Sequence, residues 1–560
     1  MKKWIPPLFV GMTLAVASLF FLPLGGHALW NSDEGRYAEV AREMLELKDW
    51  LTPHLNYVLY FEKPPLMYWL TAASLAVFGQ NEFAARFWSA TFGLLTVIIV
   101  YLFGRHWKGE RAGLLSGSIL ATCLLFFALT QYLTLDMALT FWMALALYAS
   151  SKILTERPPD RVKRYTDLLA LAMAGGVLTK GLVGVVFPVA VLGLAIAYTR
   201  LWGQARKISW QPAFFLMLLV AAPWFVLISL RHPYYPYFFF VREHLTRFLT
   251  PLHHREAPFY FFVPVLLAGF LPWSVFLPKI FGSSFERHGF LMKRDPVQAL
   301  LVMWSLFVLV FFSFSQSKLV AYILPVLPAM ALLAGSAFDE TLEEPEFPKW
   351  VERGLVSLIA IHIVALCLLK LPEAARFFQD PAAMAIRAHG EALSLILSLN
   401  VFILVGVWGM RQSFAALGGI MMAQILLLST LASVSVVLDP YLSNKGIARF
   451  LLPHASSEER IVSYGVSYEN GLQALPFYLK RRIVVFGDAG ELAMGRDQAP
   501  DAADWFSPEP EAQGALAKMP AGTWVITNEE YLKGLAQAGI SQTLEPTGRE
   551  GRLLLLRKVH

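Results

Sequence analysis

The chain has 560 residues, of which 56% are hydrophobic and 16% are charged, and its formal net charge is +6 at neutral pH. This composition excludes an ordinary soluble globular protein and a disordered chain, because both carry more charge and less apolar surface. The positive balance does not indicate nucleic-acid binding, because the basic residues are distributed over the loops between apolar runs.

Apolar runs long enough to cross the hydrocarbon core of a membrane recur along residues 4–437. We interpret thirteen of them as transmembrane helices, at 4–24, 83–104, 112–129, 132–150, 166–180, 182–199, 211–230, 258–280, 297–314, 319–338, 354–371, 390–410 and 413–437. The shorter run Tyr68–Phe78 predicts an interfacial or re-entrant helix. Lys2 and Lys3 place the N-terminus inside, and the basic loops then all lie on the cytoplasmic side.

A polar segment, Asp33–Lys63, follows the first apolar run and places carboxylates, arginines, tyrosines and a lysine at the membrane face. Ionisable groups are expensive to hold there, so this segment is the first candidate for chemistry. The predicted topology brings further polar groups to the same outer face. They are Asp136 at the end of the fourth span, the loop 231–257 with His253, His254 and Arg255, and the turn Ser315–Lys318 that leads to Tyr322.

These residue types suit a transfer onto or from a membrane-bound phosphate. A carboxylate can orient or deprotonate an acceptor. Lysine and arginine side chains can hold a phosphate leaving group and balance its charge. Because the outer face has no nucleotide donor, the activated group is expected to arrive on a lipid. The sequence contains no Walker motif that would power a pump.

The composition and the pattern of apolar residues change over residues 440–560. Short runs rich in Val, Ile and aromatic residues predict strands at 460–464, 482–486, 523–527 and 552–557, and residues 529–538 predict a helix. We expect residues 495–511 to form a surface loop. The sequence therefore predicts a transmembrane domain over 1–439, with outer loops 25–82 and 231–257, and a small periplasmic α/β domain over 440–560.

Several motifs resemble those of the 4-amino-4-deoxy-L-arabinose transferases that act on lipid A. They are SDEGRYAEVAREM, YFEKPPLMYWL, FAARFWSA, LTLDMALTF, LTKG, HHREAPFYFF and SQSKLVAYILPVLPAM. These enzymes are GT-C membrane glycosyltransferases of the protein O-mannosyltransferase superfamily. The Asp-Glu pair is shared by many GT-C enzymes, whereas YFEKPP together with HHRE is more specific to the aminoarabinose group. Gly35 and Pro65 depart from the pattern of the closest members.

The resemblance implies an inverting transfer of aminoarabinose from undecaprenyl phosphate to a lipid A phosphate at the periplasmic face of the bacterial inner membrane. Masking that phosphate would weaken the binding of polymyxin and other cationic peptides. The implied catalytic residues are Asp33 and Asp136. The implied substrate-binding residues are Glu34, Arg36, Tyr37, Tyr60, Lys63, Arg255, Lys318 and Tyr322.

No cofactor is expected for the chemistry itself. Two adjacent imidazoles, His253 and His254, together with Glu62 nevertheless suit a zinc ion, and we expect such a metal to be structural. The two cysteines, Cys123 and Cys367, lie in apolar runs and predict no disulfide framework.

Alternative interpretations remain at this stage. Asp33 and Glu34 could simply cap the helix that follows them. Asp136 could be a buried acid paired with a lysine for structural reasons. Lys63 could extend its ammonium group to the membrane interface.

Two other functions are open. The first is a related GT-C enzyme that moves another polyprenyl-phosphate-linked sugar to protein or glycan. The second is a transporter of a polyprenyl-linked sugar, although transporters usually place ionisable groups near the bilayer midplane and contain internal repeats.

Overall fold

A computed structural model gives the architecture and describes residues 7–31, 33–246, 257–286, 295–344, 346–371, 383, 387, 389–537 and 539–559. Helices dominate the first three quarters of the chain. Among the described residues, eight helices are long and apolar enough to cross a membrane. They are Glu82–Lys108, Leu135–Thr155, Trp210–Arg231, Pro296–Phe314, Val320–Thr341, Lys349–Lys370, Gly390–Met410 and Ser413–Leu442.

Two bent pairs of helices raise the number of candidate spans in the described part of the chain to ten. Glu110–Thr122 and Leu124–Thr130 meet at 68°, and Phe259–Gly269 and Trp273–Gly282 meet at 106°. The other predicted spans correspond to the helices Pro7–Leu19, Val183–Thr199 and Pro159–Lys180. The first two have 13 and 17 residues, and the third begins with a charged turn. The chain is thus a polytopic helical membrane protein, and helix length and hydropathy alone do not establish thirteen spans.

Small residues let the helices approach one another closely. A Cβ atom added to Gly104 would lie 2.8 Å from the Cα atom of Gly113, and one added to Gly335 would lie 2.7 Å from the backbone nitrogen of Ser116. In lipid the hydrophobic effect does not drive helices together, so close packing of this kind provides much of the association energy. It holds the helices of the bundle in a fixed arrangement.

The polar segment forms the helix Asp33–Leu47, a hairpin of β1 (His54–Leu55) and β2 (Val58–Leu59), and the helix Leu66–Phe78. Carboxylates in the first turn of the helix Asp33–Leu47 complement its dipole and favour its start. Residues 34–44 of this polar helix are all buried. The helix Leu66–Phe78 has 13 residues, too few to cross the membrane alone.

The C-terminal part contains a six-stranded sheet. Its strands are Ile461–Tyr464 (β3), Val484–Phe486 (β4), Phe506–Ser507 (β5), Trp524–Asn528 (β6), Leu544–Glu550 (β7) and Leu553–Lys558 (β8). They lie in the order β5–β4–β3–β6–β8–β7; β3 to β6 pair in parallel, whereas β8 pairs antiparallel with β6 and with β7. The four predicted strands are confirmed, and so is the predicted helix, which runs over Glu529–Gln537.

Residues 495–511 lie largely at the surface, as predicted, but the prediction that they form a loop is wrong. This stretch contains parts of the helices Ala493–Gln498 and Glu509–Lys518, all of Ala502–Trp505, and strand β5. Phe506 is buried and pairs with Val485 at the sheet edge. Burial of one aromatic side chain therefore outweighs the polar composition around it.

The C-terminal part packs directly on the polar segment near the N-terminus. A Cβ atom on Gly35 would lie 2.4 Å from the backbone nitrogen of Ala474, so only glycine fits there without a shift. Asn56 donates to the carbonyl of Ile483 at 3.0 Å and accepts from the Ile483 amide at 3.0 Å. Lys445 pairs with Glu82 at the same interface. This cover explains why a polar helix is buried.

Candidate active site

One pocket collects side chains from five parts of the chain and has about 420 Å³ of empty space, part of it open to solvent. The first part is the polar segment, and the second and third are the helix that ends at Lys180 and the helix that begins at Leu135. The remaining residues come from the turn before Tyr322 and from the C-terminal part. The lining residues are Asp33, Arg36, Tyr37, Glu62, Lys63, Leu135, Asp136, Lys180, Leu319, Tyr322 and Glu469.

The helix Asp33–Leu47 presents three of these side chains on one face. Asp33, Arg36 and Tyr37 follow the spacing of three and four residues that makes helical neighbours. Arg36 pairs with Asp33 through Nη2, and the same nitrogen donates to the Tyr37 hydroxyl at 3.3 Å. Asp33 remains one-quarter exposed, whereas Arg36 is buried. The carboxylate is therefore the group of this pair that is open to a ligand.

Tyr37 is packed beneath Asp33 and Arg36. Burial raises the pKa of its phenol well above the ordinary value, and the Arg36 guanidinium opposes that shift only in part. Tyr37 is therefore a neutral hydroxyl at physiological pH. It can donate or accept a hydrogen bond, but it is not available as a base.

Glu34 faces away from the pocket, which differs from the substrate-binding role predicted for it. Its Oε1 accepts from Arg86 Nε at 2.7 Å and from the Leu133 amide at 2.9 Å. Its Oε2 accepts from Arg86 Nη2 at 2.8 Å and from the Trp30 amide at 2.9 Å. Both members of the Glu34–Arg86 pair are fully buried. These contacts connect the first turn of the polar helix to the helix that carries Arg86, so in this structure the Glu34 carboxylate stabilises the fold.

Asp136 and Lys180 form an ion pair in the pocket wall, with 2.5 Å between Nζ and Oδ1. Thr134 donates to Asp136 Oδ2 at 3.0 Å and caps the helix that carries it. The Lys180 ammonium also lies 4.6 Å from the centre of the Tyr322 ring. Lys180 ends its helix, where the carbonyl dipoles favour a cation. The pairing predicted as an alternative for Asp136 thus occurs, but inside the pocket.

Lys63 lies between two carboxylates. Its Nζ is 3.7 Å from Glu62 Oε2 and 3.7 Å from Glu243 Oε2, and it donates to the Glu62 carbonyl at 3.1 Å. Its side chain is 13% exposed, and the ammonium lies in the pocket wall. Glu243 lies in the π-helical segment Tyr237–Thr246, between the helices Trp210–Arg231 and Phe262–Gly269.

Other predicted residues lie outside the pocket or outside the described part of the chain. Tyr60 is buried behind it, with its hydroxyl 3.5 Å from Glu491 Oε2. Lys318 is buried and donates to the Ser315 carbonyl at 2.6 Å. Arg255, His253 and His254 fall outside the described residues, so the predicted zinc site is not tested. Within the described ranges, no group of three potential metal ligands occurs.

Sequence reasoning missed two acidic residues of the C-terminal part. Glu469 lines the pocket itself. Glu491 is buried behind Arg36 and accepts from Arg36 Nη1 at 2.5 Å. Burial raises the pKa of Glu491 to about 7, against the opposing effect of the Arg36 guanidinium. No local pattern marks either residue, because both reach the site only through the packing of distant segments. One feature of the sequence indicated Lys180, its position before Gly181 in the motif LTKG.

Taken together, the pocket holds the cations Arg36, Lys63 and Lys180 beside the carboxylates of Asp33, Glu62, Asp136 and Glu469. Guanidinium and ammonium groups bind phosphate through charge-assisted hydrogen bonds. The carboxylates can orient a second reactant or pair with a cationic one. The arrangement therefore suits two charged reactants, at least one of which carries a phosphate.

Comparisons with known proteins agree with this chemistry. Residues 8–236 match the sequence profile of the family described as dolichyl-phosphate-mannose-protein mannosyltransferase. The chain is 32% identical over 544 residues to the undecaprenyl phosphate-alpha-4-amino-4-deoxy-L-arabinose arabinosyl transferase of Pectobacterium carotovorum, and the alignment covers 92% of each protein.

Two solved structures are also similar to this chain. The crystal structure of ArnT from Cupriavidus metallidurans bound to undecaprenyl phosphate is similar with a TM-score of 0.86 and 26% identity, over 98% of this chain and 97% of that one. An archaeal oligosaccharyltransferase from Archaeoglobus fulgidus has a TM-score of 0.54 at 14% identity, over 97% of this chain and 72% of that one. The latter likeness concerns the fold alone.

Proposed function

Because the chain belongs to the family of undecaprenyl phosphate-4-amino-4-deoxy-L-arabinose arabinosyl transferases, we propose that it transfers aminoarabinose from undecaprenyl phosphate to a phosphate of lipid A. It is a glycosyltransferase that uses a polyprenyl-phosphate sugar donor. The observation that carries the proposal is the pocket in which three cations stand beside four carboxylates. A phosphate-linked amino sugar has the complementary charges, a phosphate anion and an ammonium.

In the proposed reaction, an oxygen of the acceptor phosphate attacks the anomeric carbon of the sugar. The bond from that carbon to the donor phosphate breaks, and undecaprenyl phosphate leaves with the electron pair. Direct displacement inverts the configuration. Asp33 orients the acceptor, and because the acceptor is already ionised, little deprotonation is needed.

Charge builds on the leaving phosphate as the bond breaks, so the cations act there. Arg36 and Lys63 are placed to hold that phosphate and to stabilise its developing charge. Asp136, which pairs with Lys180, would receive the sugar ammonium. Tyr322 and Tyr37 supply ring surface and a hydroxyl at the edges of the pocket.

An apolar cavity supports a substrate with a lipid tail. It has about 860 Å³ of empty space, part of it open to solvent, and is lined mostly by aliphatic and aromatic side chains. Trp30 and Tyr132 are among the lining residues, and Trp30 lies just before the helix Asp33–Leu47 in the chain. An extended hydrocarbon chain fits such a cavity, and its polar head would then lie near the charged pocket.

We further propose the topology that this reaction requires. The helices Pro7–Leu19, Pro159–Lys180 and Val183–Thr199 join the ten candidate spans of the described residues to make thirteen. The polar segment and the C-terminal α/β part then face the periplasm of the bacterial inner membrane. Adding an amine to lipid A lowers the negative field of the outer surface, and resistance to polymyxin follows from it.

The test is the mass of lipid A. We expect lipid A from a polymyxin-sensitive host that expresses the chain to gain the mass of one aminopentose and the cells to become resistant. A matched strain with the Asp33→Asn variant serves as control. A well-expressed protein that leaves lipid A unchanged would refute the proposal and favour transfer of another sugar to protein or glycan, as in the mannosyltransferase family that residues 8–236 match.

The structural zinc remains a proposal of its own, with Glu62, His253 and His254 as its ligands. Of these, only Glu62 lies in the described residues, and its carboxylate is near the Lys63 ammonium. We expect elemental analysis of purified protein to find about one zinc per chain, and fewer in a His253→Ala, His254→Ala double variant. Active protein free of zinc would rule the site out.

A further inference from the structure

Glu491 lies in the C-terminal part of the chain, 455 positions from the arginine that it contacts. Its Oε2 accepts from Arg36 Nη1 at 2.5 Å, and the side chains of Glu491 and Arg36 are 1% and 6% exposed. Arg36 lines the reaction pocket, whereas Glu491 does not. Among the described residues, Arg36 is the pocket-lining side chain to which Glu491 is hydrogen-bonded.

The surroundings hold Glu491 in place from its other side. Gln473 donates to Oε1, and the Tyr60 hydroxyl lies 3.5 Å from Oε2. The backbone before it turns at Gly490, whose φ of +52° is a left-handed conformation that favours glycine. The Gly490 amide donates to Asp488 Oδ1 at 2.9 Å and closes that turn. The Glu491 side chain is thus buried and held by several hydrogen bonds, unlike an exposed acidic residue at the surface.

The guanidinium is a planar fork, and its partners determine where the fork points. Glu491 holds Nη1, while Asp33 and Tyr37 engage Nη2. Within the described residues, the buried Nε of Arg36 has no hydrogen-bond partner. A buried donor without an acceptor is unfavourable, so a phosphate oxygen that accepts from Nε would satisfy it.

A buried ion pair is weak evidence for a stabilising role, because an apolar pair of similar volume packs equally well. Its place at the wall of a charged pocket is better explained by function. We propose that Glu491 is a positioning residue that holds Arg36 against the donor phosphate, so that the C-terminal part completes the site. This inference rests on the proposed function.

The Glu491–Arg36 contact also identifies what the C-terminal part does. Removal of the carboxylate would release Nη1 of Arg36, and a displacement of the guanidinium by about 1 Å can reduce a rate by about 100-fold. Asp33 would keep its contact with Nη2 of Arg36, so the acceptor side of the pocket would be affected less than the donor side. The expected signature is a higher KM for the lipid-linked donor together with a lower kcat, and little change in the KM for the acceptor.

The experiment is a double-mutant cycle on purified full-length protein with undecaprenyl phosphate-aminoarabinose and lipid A. We expect Glu491→Ala to lower kcat/KM for the donor by roughly 10- to 100-fold, and Glu491→Gln, which keeps one acceptor oxygen, by less. In an Arg36→Ala background, Glu491→Ala should add less than about twofold, because its effect passes through Arg36. Glu491→Gln covers the case in which the alanine variant folds poorly.

Glu82→Gln is the matched control. In the described part of the chain, the Glu82 carboxylate pairs with Lys445 and accepts from Tyr478, and neither of these partners lines the pocket. It should leave donor kinetics within about twofold. The positioning role is overturned if Glu491→Ala retains full activity, if its loss adds in full to that of Arg36→Ala, or if Glu82→Gln is equally impaired. Absence of transfer by the wild-type protein would instead refute the proposed function.

Discussion

Lys180 gives the sharpest test of the pocket, because its ammonium contacts two lining residues. The Lys180→Met change keeps the length of the side chain and removes its charge. Asp136 then loses a partner 2.5 Å away, in a pair whose side chains are 17% and 8% exposed. The Tyr322 ring also loses a cation 4.6 Å from its centre.

The magnitude follows from that geometry. Removing one member of a buried, hydrogen-bonded charge pair costs about 2–5 kcal/mol, much of it from the charge left behind. Because this pair retains some exposure, we take the lower part of that range, about 2–4 kcal/mol. At about 1.4 kcal/mol for each factor of ten, a loss of this size in transition-state stabilisation lowers kcat/KM by roughly 30- to 700-fold. Lys180→Arg should recover part of the loss, since it restores a cation.

The assay is transfer of aminoarabinose to lipid A by purified protein, read by mass spectrometry. Lys163→Met is the control, because Lys163 lies on the same helix, is 54% exposed and pairs with Asp167 only at the surface. It should act like wild type within about twofold. Activity of Lys180→Met within threefold of wild type, or equal losses in both variants, would contradict the assignment of Lys180 to the site.

Three further predictions follow from other contacts. Asp33→Asn should lower transfer by more than about 100-fold with unchanged expression, because the neutral amide cannot orient the acceptor in the same way; retained polymyxin resistance would argue against this. Lys63→Ala should raise the KM for the donor by roughly 10-fold or more, since it removes a phosphate-binding charge, and unchanged donor kinetics would remove Lys63 from the phosphate site. Arg86→Met should lower the free energy of unfolding by about 3–5 kcal/mol, because it strands the buried Glu34. Thermal unfolding in detergent measures that loss, and Arg105→Met on the same helix, 56% exposed, should leave stability unchanged.

Much of the site was predictable from short stretches of sequence. Asp33, Arg36 and Tyr37 stand at helical spacing directly after an apolar run, so one helix face and one membrane face were implied together. Lys63, Asp136 and Tyr322 were placed on that face by counting spans. All six line the same pocket.

Glu34 shows where such reasoning stops. Glu34 directly follows Asp33 in the sequence, but the side chains of consecutive residues on a helix point about 100° apart. Glu34 therefore turns toward Arg86 and the bundle, while Asp33 faces the pocket. Glu469 and Glu491 were missed for the opposite reason, since they are distant in sequence from the other pocket residues and adjacent to them only in space.

Span length, hydropathy and strand pattern are local properties of the sequence. For that reason the sequence alone predicted a polytopic membrane protein and most of its helices and strands. Which acids meet which bases depends on how the outer segments stack. A polar helix became buried because Gly35 admits the backbone of Ala474, and that contact brings the C-terminal part close enough for Glu491 to reach Arg36. Pairings of this kind arise from packing over hundreds of residues, and no period or motif encodes them.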